Sequence, residues 1–196
     1  MKKLLYLFLT VLITLSVNAQ SSKKEIDVYD YNGMKISYGG KYRSKQWIFK
    51  DGEQKIFFTQ KALDKATIKI EGAFNKTIEW AKVADENNVG EFEKDIPFTF
   101  KTSGGYLYDY GLEIVGPKPS SIIFKRESDT RSVMWCYVYQ SDANLIRSAI
   151  FSFPRVNVKS DSDIESFNKF LNFLKNSKTI IVKKIAESKS VGDKFN

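Results

Sequence analysis

The sequence predicts an α+β fold built mainly on antiparallel β-sheet. Three observations support this: two hairpin signals near the N-terminus, three closely spaced strands in the last third, and two amphipathic helical patterns. Short polar connections force neighbouring strands to run antiparallel, and the hairpins argue against the regular strand–helix alternation of a parallel sheet. We expect a single folded domain over residues 26–185.

Residues 1–19 have the layout of a cleavable secretory signal peptide. Two lysines precede an apolar stretch over residues 4–17, and a small-x-small ending places the expected cleavage between Ala19 and Gln20. As a helix, that stretch would cover about 21 Å, which is short of a hydrocarbon core of about 30 Å. We therefore expect export to the periplasm or the extracellular space as a soluble protein without a transmembrane segment. Since no Cys lies near the cleavage site, we do not expect a lipoprotein.

The mature chain opens with two predicted hairpins after a disordered stretch over residues 20–25. The first joins two alternating runs through Asn32-Gly33, a dipeptide that tolerates the positive φ angles of a tight turn. The second turns at Asp51-Gly52. The predicted hairpin strands are residues 26–31, 34–38, 45–49 and 53–58.

The middle of the chain combines short strands with one helix. We expect a short strand at residues 66–70, a helix over about 74–88, and extended segments at 91–101 and 106–115. The predicted apolar face of this helix contains Phe74, Ile78, Ala81 and Ala84, widened by Trp80 and Val83.

The last third predicts a three-stranded meander followed by a second helix. The strands are residues 121–127, 132–140 and 145–153, joined by short polar turns. The helix is expected over about 162–176, with Ser162 and Glu165 as a capping box. We expect a final short strand at residues 179–185 and a flexible tail at 186–196. The apolar stripe of the helix contains Ile164, Phe167, Phe170, Leu171 and Leu174.

The composition excludes several kinds of site. The chain contains no His and one Cys, Cys136. Zinc sites built from His and Cys, and nucleophiles paired with His, are therefore excluded, as is an intramolecular disulfide. Because Cys136 lies in an apolar strand-like run, we expect a buried and inert thiol. No P-loop or dinucleotide-binding motif occurs, so no cofactor is predicted.

Acidic and aromatic side chains provide the remaining candidates. Alternating carboxylates could bind a hard cation, but a solvated strand face explains them better, so no metal is predicted. Carboxylates near aromatic strands are the candidates for acid–base catalysis. Rows of tyrosine could stack on a ligand, but we favour the core, because aromatic residues are also common strand formers. The alternating carboxylates are Glu91, Glu93 and Asp95; the acid–base candidates are Asp27, Asp30, Asp109 and Glu113; the tyrosines are Tyr29, Tyr31, Tyr38, Tyr42, Tyr106, Tyr108 and Tyr110.

The formal net charge is +8, and lysines are densest near the C-terminus. Weak contact with anionic surfaces is one interpretation, but ordinary solubility explains the same pattern, and no nucleic-acid partner is predicted.

We expect a non-enzymatic exported domain that binds an unidentified ligand or an envelope protein. Two alternatives stay open: a small carboxylate-dependent hydrolase of the glycosidase type, and a peripheral protein that binds anionic lipid or cell-wall polymer through these lysines. The lysines are Lys175, Lys178, Lys183, Lys184, Lys189 and Lys194.

The order of elements resembles that of exported PsbP-like domains. The likeness covers about residues 34–176, and its nearest segments are TIKIEGAFNKTIEWAK and FSFPRVNVKSDSDIESFNKFLNFL. It implies a helix after the early strands, then a strand meander, then a C-terminal helix, arranged as an αβα sandwich. The extra N-terminal hairpin departs from the family's pattern. The resemblance includes no diagnostic motif, so it implies no specific function.

Overall fold

The computed structural model describes residues 25–39, 45–107, 112–114, 118–141 and 148–192. These residues form two helices and eleven strands, which confirms the predicted α+β class with antiparallel sheets. The predicted signal peptide, with its cleavage site at Ala19 and Gln20, lies outside the described residues.

The first sheet has six described strands in the order β1-β2-β3-β4-β6-β7, all antiparallel. Both predicted hairpins are present. Asn32 and Gly33 have φ angles of 48° and 89°, as a tight turn of this type requires, and the second turn is at Gly52-Glu53, one residue later than predicted. The predicted extended segment at 106–115 contains two paired strands. The strands are β1 (Ile26–Tyr31), β2 (Met34–Gly39), β3 (Gln46–Asp51), β4 (Gln54–Phe58), β6 (Gly104–Leu107) and β7 (Leu112–Ile114).

The second sheet contains the predicted meander. Its strands follow the order β10-β9-β8-β5, and β11 pairs with another part of β9. The connection between β8 and β9 is the two-residue turn Asp129-Thr130, while residues 142–147, between β9 and β10, lie outside the description. The strands are β5 (Phe92–Asp95), β8 (Ser120–Ser128), β9 (Arg131–Ser141), β10 (Ser148–Ser152) and β11 (Val156–Asn157).

Helix α1 (Gln60–Glu86) is longer than predicted and includes residues 66–70, so the strand predicted there is wrong. Thr59 caps the helix, and its side chain accepts a hydrogen bond from the backbone N–H of Ala62. Helical periodicity continues upstream of Gly72, but much of the buried face consists of small Ala and Thr side chains. The buried residues are Leu63, Ala66, Thr67, Ile70, Ala73, Phe74, Thr77, Ala81 and Ala84.

Helix α2 (Asp161–Gly192) also extends beyond its predicted end, so the strand expected at residues 179–185 is wrong. Buried Ser177 and Ile181 continue the helical stripe that begins in the predicted segment. The helix includes residues 186–192, where a flexible tail was expected. Ser160 is its cap, since its hydroxyl accepts from the backbone N–H of Asp163 at 3.3 Å, and the predicted capping box lies two residues too far along the chain.

The two helices contact each other and both sheets around one core. Phe74 of α1 lies 4.5 Å from Phe167 of α2, ring centre to ring centre. Two tyrosines of β1 stack on α2: Tyr29 on Phe173 at 4.3 Å and Tyr31 on Phe170 at 4.4 Å. The two helices therefore share one core with both sheets, and the αβα sandwich implied by the resemblance to PsbP-like domains stays a prediction.

A buried arginine joins the end of α1 to the second sheet. Arg126 of β8 is 2% exposed and donates to the Asp85 carboxylate, the Asp129 carboxylate and the Val89 carbonyl, each at 2.7 Å. Lys159 also donates to Asp85. Each polar group of the guanidinium therefore has a partner, as a buried charge requires. We interpret this cluster as structural.

We predict opposite effects for two substitutions at exposed Thr179, within the part of α2 that was expected to be a strand. Thr179→Pro should lower the free energy of unfolding by about 3 kcal/mol, because proline disrupts a helix interior. Thr179→Ala should raise it by a few tenths of a kcal/mol, since Ala has the higher helix propensity. Urea denaturation measures both. A tolerated proline together with a destabilising alanine would indicate a strand.

We also predict that Asp85 contributes to acid sensitivity. Hydrogen bonds from Lys159 and Arg126 lower the pKa of Asp85 from its ordinary value of 3.8. A lowered folded-state pKa means that the stabilisation is present above pH 3.8 and is lost as the pH falls through the folded value. In Asp85→Asn, the unfolding midpoint should therefore vary less between pH 4 and pH 2 than in the wild type. Equal slopes in the two proteins would contradict this role.

Candidate binding face of the second sheet

The structure does not bring the predicted acid–base candidates together. Asp27 and Asp30 are exposed on β1, where the Asp30 carboxylate accepts from the backbone N–H of Gly33 at 3.0 Å and so stabilises the turn. Asp109 lies outside the described residues, as does the side chain of Glu113. Neither Asp27 nor Asp30 lines either of the grooves reported below.

The alternating carboxylates Glu91, Glu93 and Asp95 are exposed along β5 and the residue before it. Lys125 is the cross-strand neighbour of Glu93, and Ile123 that of Asp95. Within the described part of the chain, no group of three or more acidic, His or Cys side chains is close enough to hold a metal ion.

The described tyrosines of the first sheet pack internally. Tyr31 is buried, and Tyr29 and Tyr38 are half-buried against the core. Tyr38 lies 5.0 Å from the buried Trp47, measured between ring centres. The core interpretation therefore applies to these three residues. Tyr42, Tyr108 and Tyr110, and the side chain of Tyr106, lie outside the description.

A different aromatic row lies on β9, where sequence reasoning expected only a buried strand. Alternate residues of a strand point to opposite sides of a sheet. Met134, Cys136 and Val138 are buried on the core side, so Trp135, Tyr137 and Tyr139 lie on the outer side. We call these three residues the β9 aromatic row. At about 3.4 Å per residue, the row is about 14 Å long.

The row is accessible and continues onto the neighbouring strand. Tyr139 is 48% exposed, and its cross-strand neighbour Ile150 is 39% exposed. Trp135 and Tyr137 are half-buried, with ring centres 4.7 Å apart. Because contiguous exposed apolar patches mark binding surfaces and singly scattered residues do not, we take this row, which continues onto Ile150, as the candidate binding surface.

Two polar side chains hold one end of the row in place. The Trp135 indole N–H donates to the Ser152 hydroxyl at 2.6 Å. The guanidinium carbon of the exposed Arg155 lies 4.5 Å from the centre of the Trp135 ring, a cation–π contact. No carboxylate in the described part of the chain forms an ion pair with Arg155. No ion pair with a described residue therefore neutralises its charge.

An open groove of about 240 Å³ begins at this end of the row. We call it the hairpin groove, since it is lined by Asn32 and Met34 of the first hairpin and by Asp51, the residue of β3 that precedes the second turn. Its apolar lining comes from Met34, Phe153 and Pro154, and its polar lining from Asn32, Asp51, Ser152 and Arg155. The groove therefore combines an amide, a carboxylate, a hydroxyl and a guanidinium above an apolar floor. Among the described residues that line it, Asp51 is the only carboxylate.

A second groove, of about 220 Å³, lies between the end of α1 and β5. It is almost entirely apolar: Trp80, Ala84 and Phe92 line it, with exposed Val83 and Val89 at its rim. The ammonium of Lys94 lies 4.7 Å from the centre of the Trp80 ring. This groove offers one charged group and no acceptor side chain, so it provides little to orient a polar ligand.

Several C-terminal lysines are engaged in contacts within the chain. Lys175 pairs with Glu71 at 2.5 Å, Lys183 with Glu187 at 4.0 Å, and Lys184 donates to the Asp27 carbonyl at 2.9 Å. The two ion pairs partly neutralise positive charge that would otherwise attract a polyanionic surface. No helix among the described residues is both long and apolar enough to cross a membrane.

We predict that the Cys136 thiol is inert in the folded protein. The residue is buried, as expected from its sequence context, and burial raises the pKa of the thiol far above its usual range. Labelling by a thiol-specific reagent at pH 8 should therefore proceed only as fast as the protein opens, and at full rate in 8 M urea. Rapid labelling of the native protein would indicate that this part of β9 is accessible.

The chain matches no family model, no curated protein and no solved structure. Since no relative suggests a function, function is inferred from the geometry of the β9 aromatic row and the hairpin groove.

Proposed function

We propose that this protein is an exported, non-enzymatic domain that binds a ligand through the β9 aromatic row. The observation that carries the proposal is the outward-facing row, exposed at Tyr139, which lies beside Arg155, a side chain with no ion-pair partner among the described residues. Aromatic side chains of this kind provide large, rigid contact surfaces at low entropic cost. The export signal predicted at residues 1–19 would place this surface outside the cytoplasm.

The chemistry of the described residues supports binding more than hydrolysis. A glycosidase needs two carboxyl groups about 5–10 Å apart on either side of the bond that it cleaves. The hairpin groove has one carboxylate, Asp51, and the groove beside α1 has none. The chain contains no His, and its single thiol is buried.

The site is also built rigidly, which favours a binding role. β9 lies between β8 and β10, with β11 pairing along its length, so the backbone beneath the row is held by hydrogen bonds on both sides. The bond to Ser152 fixes the orientation of Trp135. A surface that is already ordered loses less conformational entropy on binding.

We predict that Tyr139→Ser weakens binding without affecting the fold. The test probes an array of immobilised oligosaccharides and a library of displayed peptides with the wild type and the variant. Loss of one stacked ring should weaken capture by about tenfold or more, since an aromatic contact is worth about 0.5–1.5 kcal/mol beyond its buried area. Urea denaturation should give nearly unchanged stability, because Tyr139 is largely exposed.

Val182→Ser is the matched control, since Val182 is also exposed, at 61%, but lies on α2 away from the row. It should bind like the wild type. Failure of the wild type to bind either array, or equal binding by the Tyr139→Ser variant, would overturn the proposed function.

A further inference from the structure

We infer that the ligand is a neutral saccharide chain, with one sugar unit in the hairpin groove and the following units along the β9 aromatic row. This inference rests on the proposed function and adds the chemical class of the ligand. It follows from four features of the site: the size of the groove, its polar side chains, its charge and the position of the row in the sheet.

The size of the groove favours one unit of a longer ligand. Its volume of about 240 Å³ is below the range of about 300–1,000 Å³ for pockets that enclose whole drug-sized ligands. The groove is continuous with the row, because Ser152 and Arg155 both line the groove and contact Trp135. A ligand that places one unit in the groove therefore has an aromatic surface about 14 Å long on which to continue.

The polar lining matches the hydroxyl groups of a sugar. A hydroxyl both donates and accepts hydrogen bonds, so a sugar ring is best held by a mixture of donors and acceptors around its edge. Arg155 supplies donors, the Asp51 carboxylate supplies acceptors, and the Asn32 amide supplies both. The Ser152 hydroxyl accepts from Trp135 and donates to the Phe153 carbonyl at 3.3 Å, so it offers a ligand one further acceptor site. The C–H faces of sugar rings are apolar, and aromatic rings and apolar floors are suited to cover them.

The charge of the groove argues for a neutral ligand. Arg155 carries one positive charge and Asp51 one negative charge, and both are exposed. An acidic saccharide would gain attraction from Arg155 but meet repulsion from Asp51, and a basic ligand would have the reverse balance. A neutral chain can hydrogen-bond to both side chains without repulsion from either.

The position of the row argues against a peptide bound by strand addition. That mode needs an exposed sheet edge with unpaired backbone N–H and C=O groups. Among the described strands, β10 is the edge of the sheet next to the row, but the three rings lie on the face of β9, whose backbone pairs with β8 on one side and with β10 and β11 on the other. The ligand therefore meets side chains, which suits stacked sugar rings.

The test measures binding of the full mature chain to soluble, uncharged linear glucans and to a polyuronate, by affinity electrophoresis and calorimetry. We expect retention by at least one uncharged glucan and weak or no retention by the polyuronate. Asp51→Asn and Arg155→Met should each weaken glucan binding by about tenfold, as expected for the loss of a hydrogen bond to a charged group. Arg131→Met, an equal change of charge at an exposed residue outside the groove, should bind like the wild type. The glucan should be recovered intact after incubation.

The outcomes separate this inference from the proposed function. Capture of peptides alone, lost in Tyr139→Ser, would overturn the saccharide inference and leave the binding function standing. Preference for the polyuronate, or wild-type affinity in the Asp51→Asn and Arg155→Met variants, would also overturn the inference. Absence of binding to every probe would overturn both.

Discussion

The stacking of β1 on α2 joins the beginning of the folded chain to its end. Tyr29 and Tyr31 lie nearly parallel to Phe173 and Phe170, with interplanar angles of 8° and 7°. The chain has a single cysteine, so no intramolecular disulfide can make this connection. Without such a cross-link, closure of the fold depends on packing, and large aromatic side chains supply much apolar area for each residue ordered.

This closure determines what remains available for binding. The two tyrosines of β1 and the phenylalanines of α2 face inward, where Trp47 makes an edge contact with Phe173 and donates from its indole N–H to Gln60. The β9 aromatic row differs, since the core side of its strand is already occupied by Met134, Cys136 and Val138. Its rings therefore contribute little to closing the fold, and a binding role is the explanation that we favour.

Some elements can be predicted from their local sequence alone, whereas others depend on tertiary packing. The first hairpin follows from Asn32-Gly33, whose turn geometry needs no tertiary contact. The first half of α1 was missed because Ala66 and Thr67 stand where a helix usually shows larger apolar residues, and because Gly72 resembled a break. Residues 179–185 are rich in β-branched side chains and so resemble a strand, but packing of Ile181 in the core outweighs that weak preference. The alternation on β9 was visible, yet both of its sides are apolar, so only the structure shows which one faces the core.

The most direct test of the binding account observes the three tryptophan indoles by nuclear magnetic resonance while an uncharged linear glucan is added. Trp47 is buried, Trp80 lines the groove beside α1, and Trp135 begins the β9 aromatic row. The account predicts that the Trp135 indole signal shifts in a saturable manner, while those of Trp47 and Trp80 stay unchanged. A saturable shift confined to Trp80, or no shift at any glucan concentration, would contradict it.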